Sequence, residues 1–315
     1  MRVLASVIDY PPRARIGSFI ALHGFLAALA EAGHHVTVLT AQRVRNYELD
    51  GVHVEHIDGM YYQRIRKCDV GISHLGDDKS LHKVCLTEGK PSVRLIHGTH
   101  DARMHDLLKH GEPTLVVYNS HSMAAEVGYT GHSIVCHPRL IPEDYRVERQ
   151  FGVEGNITLV NLCEPKGGKV FSDVARWLPE RKFLGVKGGY GKQVDIHRSN
   201  VTVIPATAKM RDDVYAHTDI LVMPSEHETW GMVAAEAMCS GIPVIAHPTP
   251  GLVECLGEAG IFCDRDDTQQ WLAAIEALGE WEVKLEAISR SLERAAELAA
   301  DDSASRFVDA VERLV

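Results

Sequence analysis

Two glutamates with seven residues between them, in Glu228-Thr-Trp-Gly-Met-Val-Ala-Ala-Glu236, limit what this chain can fold into more than any other stretch. The apolar run Ile220-Leu-Val-Met-Pro-Ser225 precedes them and an Ala-rich segment ending at Gly241 follows, which predicts strand, loop and helix in that order. Gly231 falls at the first turn of the helix, where unpaired backbone N–H groups and the helix dipole favour an anion such as a diphosphate. Glu236 lies about five residues further, roughly 7 Å along the axis at ~1.5 Å per residue. One carboxylate before the helix and one inside it therefore bracket a phosphate site. A solvated glutamate pair beside an ordinary amphipathic helix is the plain alternative.

Strands and helices alternate on both sides of this motif. Arg2 to Ile8 predicts a buried strand, Ser18 to Ala32 a helix with Phe19, Leu22, Leu26 and Leu29 on one face, and His35 to Thr40 the next strand, with Gly33 as the cap between them. This is a βαβ unit of a parallel sheet. Further strands are expected at Val52 to Ile57, Val70 to Ser73, Ser92 to Ile96, Thr114 to Tyr118 and Ser133 to Cys136. The pattern breaks around His137 to Tyr145 and restarts at Ile157. Strands at Phe183 to Val186 and Val201 to Pro205 follow, then helices at Met210 to Ala216, Asp267 to Leu278 and Glu282 to Ala300. With 315 residues, 45% of them hydrophobic, the chain can bury two cores. The expected division is 1–145, 146–302 and a last helix within 303–315, whose apolar stripe of Ala304, Phe307, Val308, Val311 and Leu314 needs a partner surface.

The glutamate string, followed by Gly241-Ile-Pro-Val-Ile-Ala246 and Pro250-Gly-Leu-Val-Glu254, resembles the signature of retaining GT-B glycosyltransferases of the GT4 type, the glycosyl transferases group 1. The resemblance implies an α/β fold of the GT-B kind, two Rossmann-like parallel-sheet domains facing across a cleft. It places the acceptor on the first domain and a nucleoside diphosphate sugar, UDP- or GDP-linked, on the second, and it packs the last helix back on the first domain. The implied reaction is hexosyl transfer to an acceptor hydroxyl with retention and without a bound metal. Glu236 would then hold the ribose, Glu228 the sugar and its positive reacting centre, and the N–H groups of Gly231, Met232 and Val233 the diphosphate.

Other motifs fit the same family. Glu164-Pro-Lys-Gly-Gly-Lys169 resembles its Lys-Gly element, with Lys166 meeting the growing charge of the leaving diphosphate and Gly167 allowing close backbone approach. Where the family has an arginine about five residues before that lysine, this chain has Asn161, leaving Lys169, Lys187 or Arg139 as conceivable substitutes. Gly188-Gly-Tyr-Gly191 looks like the second glycine turn beside the nucleotide, with Gly188 and Gly189 nearest the donor. A dinucleotide fingerprint is a poor fit there, because its third glycine is missing. In Pro11 to Ser18, Gly17 and Ser18 resemble the small-residue loop that faces the donor phosphate, while Ser18 could equally serve as an N-cap. His97, ending a first-domain strand, aligns with the family histidine that contacts the donor sugar, with His100 as its competitor.

Composition narrows the partners. A net charge of -10 with no Lys/Arg-rich block gives no footprint for general nucleic-acid binding. No apolar run approaches ~18 residues and the opening strand meets Asp9 at once, so neither a transmembrane segment nor a secretory signal is expected, and a cytoplasmic location follows. Seven cysteines without a CxxC pair read as reduced, structural thiols. The HxxH spacing at His97 and His100 lacks a partnered glutamate, so no metal site is expected, and no cofactor is expected beside the donor substrate. The acceptor has no readable code; a glycan, lipid, metabolite or modified base all fit. A GT-B nucleotide-sugar epimerase and a non-catalytic sugar-nucleotide-binding protein are the rival readings.

Overall fold

The computed structural model describes residues 1–13, 16–58, 60–74, 79–98, 108, 110–148 and 154–315. The chain forms two compact units, Met1–Arg139 with Asp301–Val315, and Leu140–Ala300. This division lies slightly before the expected one at both junctions. Residues 140–145 belong with the second unit because the Tyr145 carbonyl accepts from Ser240 Oγ at 2.9 Å and its ring meets that of Tyr215 edge-on.

The first unit is built on β1 (Arg2–Val7), β2 (His35–Thr40), β3 (Tyr47–Leu49), β4 (Val52–His56), β5 (Val70–His74), β6 (Ser92–Ile96), β7 (Leu115–Tyr118) and β8 (Ser133–Val135). They lie in the order β3-β4-β2-β1-β5-β6-β7-β8, all parallel except β3, which pairs antiparallel with β4. The short β3 was not legible in the sequence, since three residues carry too little periodicity. The strand order reverses between β1 and β5. Helix Gly17–Glu31 packs Leu22, Phe25, Leu26 and Leu29 onto one face of the sheet.

The second unit carries β9 (Asn156–Val160), β10 (Phe183–Val186), β11 (Val201–Ile204), β12 (Thr218–Met223), β13 (Val244–Ala246) and β14 (Gly260–Phe262). These strands are parallel, in the order β11-β10-β9-β12-β13-β14, with the reversal between β9 and β12. A parallel sheet covered by helices on both faces needs strands apolar on both sides, and β12 is buried at every position. The segment Met210–Ala216, expected as an α-helix, instead makes a π turn over Met210–Val214 and a 3₁₀ turn over Tyr215–His217. Among the described residues no helix is long and apolar enough to cross a membrane. All seven cysteines are free and buried.

The last helix, Ser303–Glu312, belongs to the first unit. Phe307 and Val311 are fully buried in its core, and the Phe307 ring lies 4.8 Å from that of Phe25. Its start is tied by Ser303 Oγ, which accepts from the His137 N–H at 2.9 Å, and its end by His34 Nε2, 2.8 Å from Glu312. Replacing Phe307 by Ala removes a fully enclosed ring and is expected to cost about 3–5 kcal/mol. Urea unfolding read by hydrogen exchange should show that loss in helix Gly17–Glu31; unchanged protection there would mean that the terminal helix does not brace the first core.

Candidate functional site

The reversal between β9 and β12 places two βα turns of the second unit side by side. After β9 the chain makes a short 3₁₀ turn, Glu164–Lys166, and enters helix Gly168–Trp177 through Gly167. Gly167 has φ 91°, and a Cβ there would stand 2.2 Å from Pro224 Cγ, so a bare backbone is what lets this turn press against the end of β12. After β12 come Pro224 and Ser225, then the loop carrying Glu228, then helix Met232–Met238 with Gly231 as its N-cap at φ 111°. A Cβ on Gly231 would meet Leu252 Cδ2 at 2.6 Å.

Lys166 and Glu228 are brought together by this packing. Lys166 Nζ lies 2.5 Å from Glu228 Oε1, with only 18% and 14% of the two side chains exposed. Ser225 Oγ donates to the same carboxylate oxygen at 3.1 Å. Burial pushes the Lys166 ammonium towards losing its proton, but the Glu228 charge, with Tyr190 beside it, outweighs that and leaves its pKa above the ordinary lysine value. Lys166 is therefore a fixed, desolvated cation. Tyr190 belongs to the glycine turn, so Gly188-Gly-Tyr-Gly191 borders the same spot.

Glu236 is 7% exposed and accepts a hydrogen bond from the Tyr215 hydroxyl at 2.5 Å through Oε2. Asn161, at the expected arginine position, follows β9 with φ 68° and is almost fully buried. Its Oδ1 accepts from Gln193 Nε2 at 3.0 Å and from the Cys163 N–H at 3.3 Å, two donors that fix which way the amide points. Its Nδ2 has no partner among the described residues. Gln193 Oε1 in turn accepts from the Gly188 N–H at 2.8 Å. A neutral amide network thus stands where a guanidinium was expected. Of the suggested substitutes, Lys169 pairs with Glu164 and Arg139 with Glu31. Arg265 was missed, being about a hundred residues away in sequence: its guanidinium donates to the Glu164 carbonyl at 2.8 Å and the Pro165 carbonyl at 3.2 Å, and pairs with Glu226. It holds the turn that presents Lys166.

In the first unit, helix Gly17–Glu31 begins at Gly17 with Ile16 as its N-cap, so Ser18 lies inside the first turn and is not the cap. Residues 14–15 of that loop lie outside the described residues, as does His100. His97 follows β6 directly, is 8% exposed, and packs its ring 4.9 Å from that of His74, the last residue of β5. Burial, then the Arg94 charge, hold His97 down to about 3; burial, His97 and Arg94 likewise push His74 well below the usual range. Both rings are neutral at physiological pH and suit hydrogen bonding rather than charge pairing.

Family comparison reaches the turn that carries Glu228 but not the one that carries Lys166. The family Glycosyl transferases group 1 matches residues 172–280, which contain the glutamate motif and most of the second unit's sheet. Within that stretch the chain is similar to the glycosyl transferases group 1, and its fold is that of the GT-B glycosyltransferases. D-inositol 3-phosphate glycosyltransferase of Rhodococcus opacus (strain B4) is 36% identical over 102 residues, 31% of this chain and 23% of that protein. Sulfoquinovosyl transferase SQD2 of Arabidopsis thaliana is 29% identical over 156 residues, 45% of this chain and 30% of that protein. The matched stretches thus span under a third of these relatives' length. Whole-chain likeness comes from solved structures: sucrose-phosphate synthase from Thermosynechococcus elongatus superposes with TM-score 0.81 at 16% identity, covering 99% of this chain and 98% of that one. HepE of Anabaena, in complex with UDP-glucose, gives TM-score 0.78 at 15% identity over 99% and 98% of the two chains.

The buried neutral histidines fix the sign of a pH effect. Their folded pKa values lie below the unfolded value of 6.5, so the stability they contribute is complete above pH 6.5 and is lost as pH falls from there towards 3 for His97. Each can contribute a slope of at most about 1.4 kcal/mol per pH unit. His97→Gln should flatten the fall in urea midpoint of the first unit from about pH 7.5 to about pH 5.5 relative to wild type. Parallel curves would show that His97 titrates normally in the fold.

Proposed function

We propose that this chain is a retaining glycosyltransferase that moves a hexosyl group from a nucleoside diphosphate sugar, UDP- or GDP-linked, to an acceptor hydroxyl without a bound metal. The observation that carries the proposal is the Lys166–Glu228 pair at the reversal point of the second sheet, a desolvated cation and carboxylate held by two turns of the kind that face a nucleotide's phosphates. Cleavage of the sugar–phosphate bond leaves negative charge on the departing diphosphate and positive charge on the anomeric carbon. Lys166, with the N–H groups of Gly231, Met232 and Val233 and the close backbone at Gly167, meets the first. Glu228 meets the second.

Glu236, buried and hydrogen-bonded, holds the ribose hydroxyls. Gly188 and Gly189 keep side chains away from the nucleotide, and on the first unit Gly17, Ser18 and neutral His97 face donor and acceptor. Retention follows from attack on the face that the diphosphate leaves, with the diphosphate taking the acceptor's proton, so neither glutamate acts as a nucleophile. UDP as the carrier is supported by the HepE complexes, which hold UDP and glucose. The acceptor is a hydroxyl of a glycan, lipid, metabolite or modified base; the D-inositol 3-phosphate glycosyltransferase relative supports a phosphorylated small polyol among these.

Release of UDP or GDP from a panel of nucleotide sugars without acceptor is the direct test, since transferases slowly pass the sugar to water. Lys166→Ala should lower turnover by roughly 100-fold with a smaller rise in the Michaelis constant, because its partner gains charge mainly as the bond breaks. Release from no UDP- or GDP-sugar would leave a non-catalytic binding protein. An unchanged turnover in the variant would remove Lys166 from the chemistry.

A further inference from the structure

Tyr215 is fully buried, yet its hydroxyl is spent on a single partner that the proposed chemistry uses elsewhere: it donates to Glu236 Oε2 at 2.5 Å. The phenol is enclosed on its own side of that bond. It is set by the π turn Met210–Val214 and the 3₁₀ turn that it opens, and its ring is flanked edge-on by Tyr145 at 6.3 Å between centroids. Tyr145 is anchored in turn through its carbonyl to Ser240 Oγ, two residues past the helix that carries Glu236. Glu236 has buried apolar neighbours on both sides in Ala234, Ala235, Ala237 and Met238.

A glutamate side chain has three torsions, and a carboxylate offers about four lone-pair directions. A ribose diol needs those directions aimed one way, because its two hydroxyls sit on adjacent carbons. A short bond to one oxygen from a buried donor restricts the carboxylate before any ligand arrives, which lowers the ordering cost of binding. We propose that Tyr215 is a positioning residue that sets the Glu236 carboxylate for a ribose diol and so lets the second unit distinguish ribonucleoside diphosphates from their 2′-deoxy counterparts. The proposal rests on the donor reading above. It differs from a plain stabilising bond, which would lower the melting temperature without changing any preference between ligands.

Calorimetry with UDP, dUDP, GDP and dGDP on the full chain separates these cases. Wild type should prefer the ribonucleotide by roughly tenfold, the range of a hydrogen bond to a charged group. Tyr215→Phe should compress that ratio to roughly twofold, with the loss falling on the ribonucleotide, and adding it to Glu236→Ala should change the ratio no further. Should Tyr215→Phe fail to fold, Glu236→Asp, which keeps the charge but withdraws it from the phenol by one methylene, must compress the ratio in the same way. A ratio unchanged in the folded variant overturns the proposal while leaving the donor reading intact. Failure of wild type to bind any of the four nucleotides overturns the donor reading, and this proposal with it.

Discussion

The candidate site of the second unit is organised around the largely buried Lys166–Glu228 pair. Lys166 and Glu228 come from turns about sixty residues apart, and the Glu228 carboxylate is what holds the Lys166 ammonium charged against burial. Their 2.5 Å approach requires the Gly167 turn to lie flat on the end of β12, where no side chain fits, and requires Arg265 to hold the carbonyls of Glu164 and Pro165. It also requires the strand order to reverse between β9 and β12, since turns over adjacent strands running the same way round would leave no room for a ligand between them. In the resting protein the pair neutralises itself. A diphosphate sugar entering the site would exchange that internal partner for two external ones, phosphate for Lys166 and sugar for Glu228.

The neutral group at Asn161 changes how much charge the site can offer. A guanidinium would add a second fixed cation; the Asn161–Gln193 pair adds only dipoles, and spends them on the Gly188 N–H and on each other. An asparagine held at φ 68° whose amide N–H has no partner among the described residues is locally costly in two ways, about 1 kcal/mol or more each. Such costs persist where the surrounding structure dictates them, and here the dictating element is the glycine turn stacked on the amide.

Sequence periodicity located the strands well, because parallel strands buried on both faces are apolar runs that no loop imitates. The reading failed where packing overrides periodicity. Met210–Ala216 has helical spacing, but the need to bring the Tyr215 phenol to Glu236 coincides with a π turn there. Ser18 looked like an N-cap because serine favours that position, yet the helix starts one residue earlier. Lys166, Glu228 and Glu236 could be singled out because few residue types carry charge at the start of such turns and helices; the structure pairs the first two and gives Glu236 the Tyr215 hydroxyl. Their supports were not: Arg265, Gln193 and Tyr215 act through contacts between distant positions, and nothing local in Asp-Arg265-Asp or Lys-Gln193-Val marks such a role. A loop arginine or a loop amide gains its meaning only once the sheet order is known.

The ion pair itself makes the sharpest demand on the account. Glu228→Gln removes the carboxylate that occupies Lys166 and leaves a largely buried cation uncompensated, while a nucleoside diphosphate without sugar loses nothing that Glu228 would have touched. Calorimetry of UDP and GDP binding to Glu228→Gln should therefore give tighter binding than wild type, by roughly tenfold, the scale of one charge-assisted hydrogen bond. Weaker or unchanged binding would contradict the claim that Lys166 is the diphosphate's cation and that Glu228 holds its place until the donor arrives.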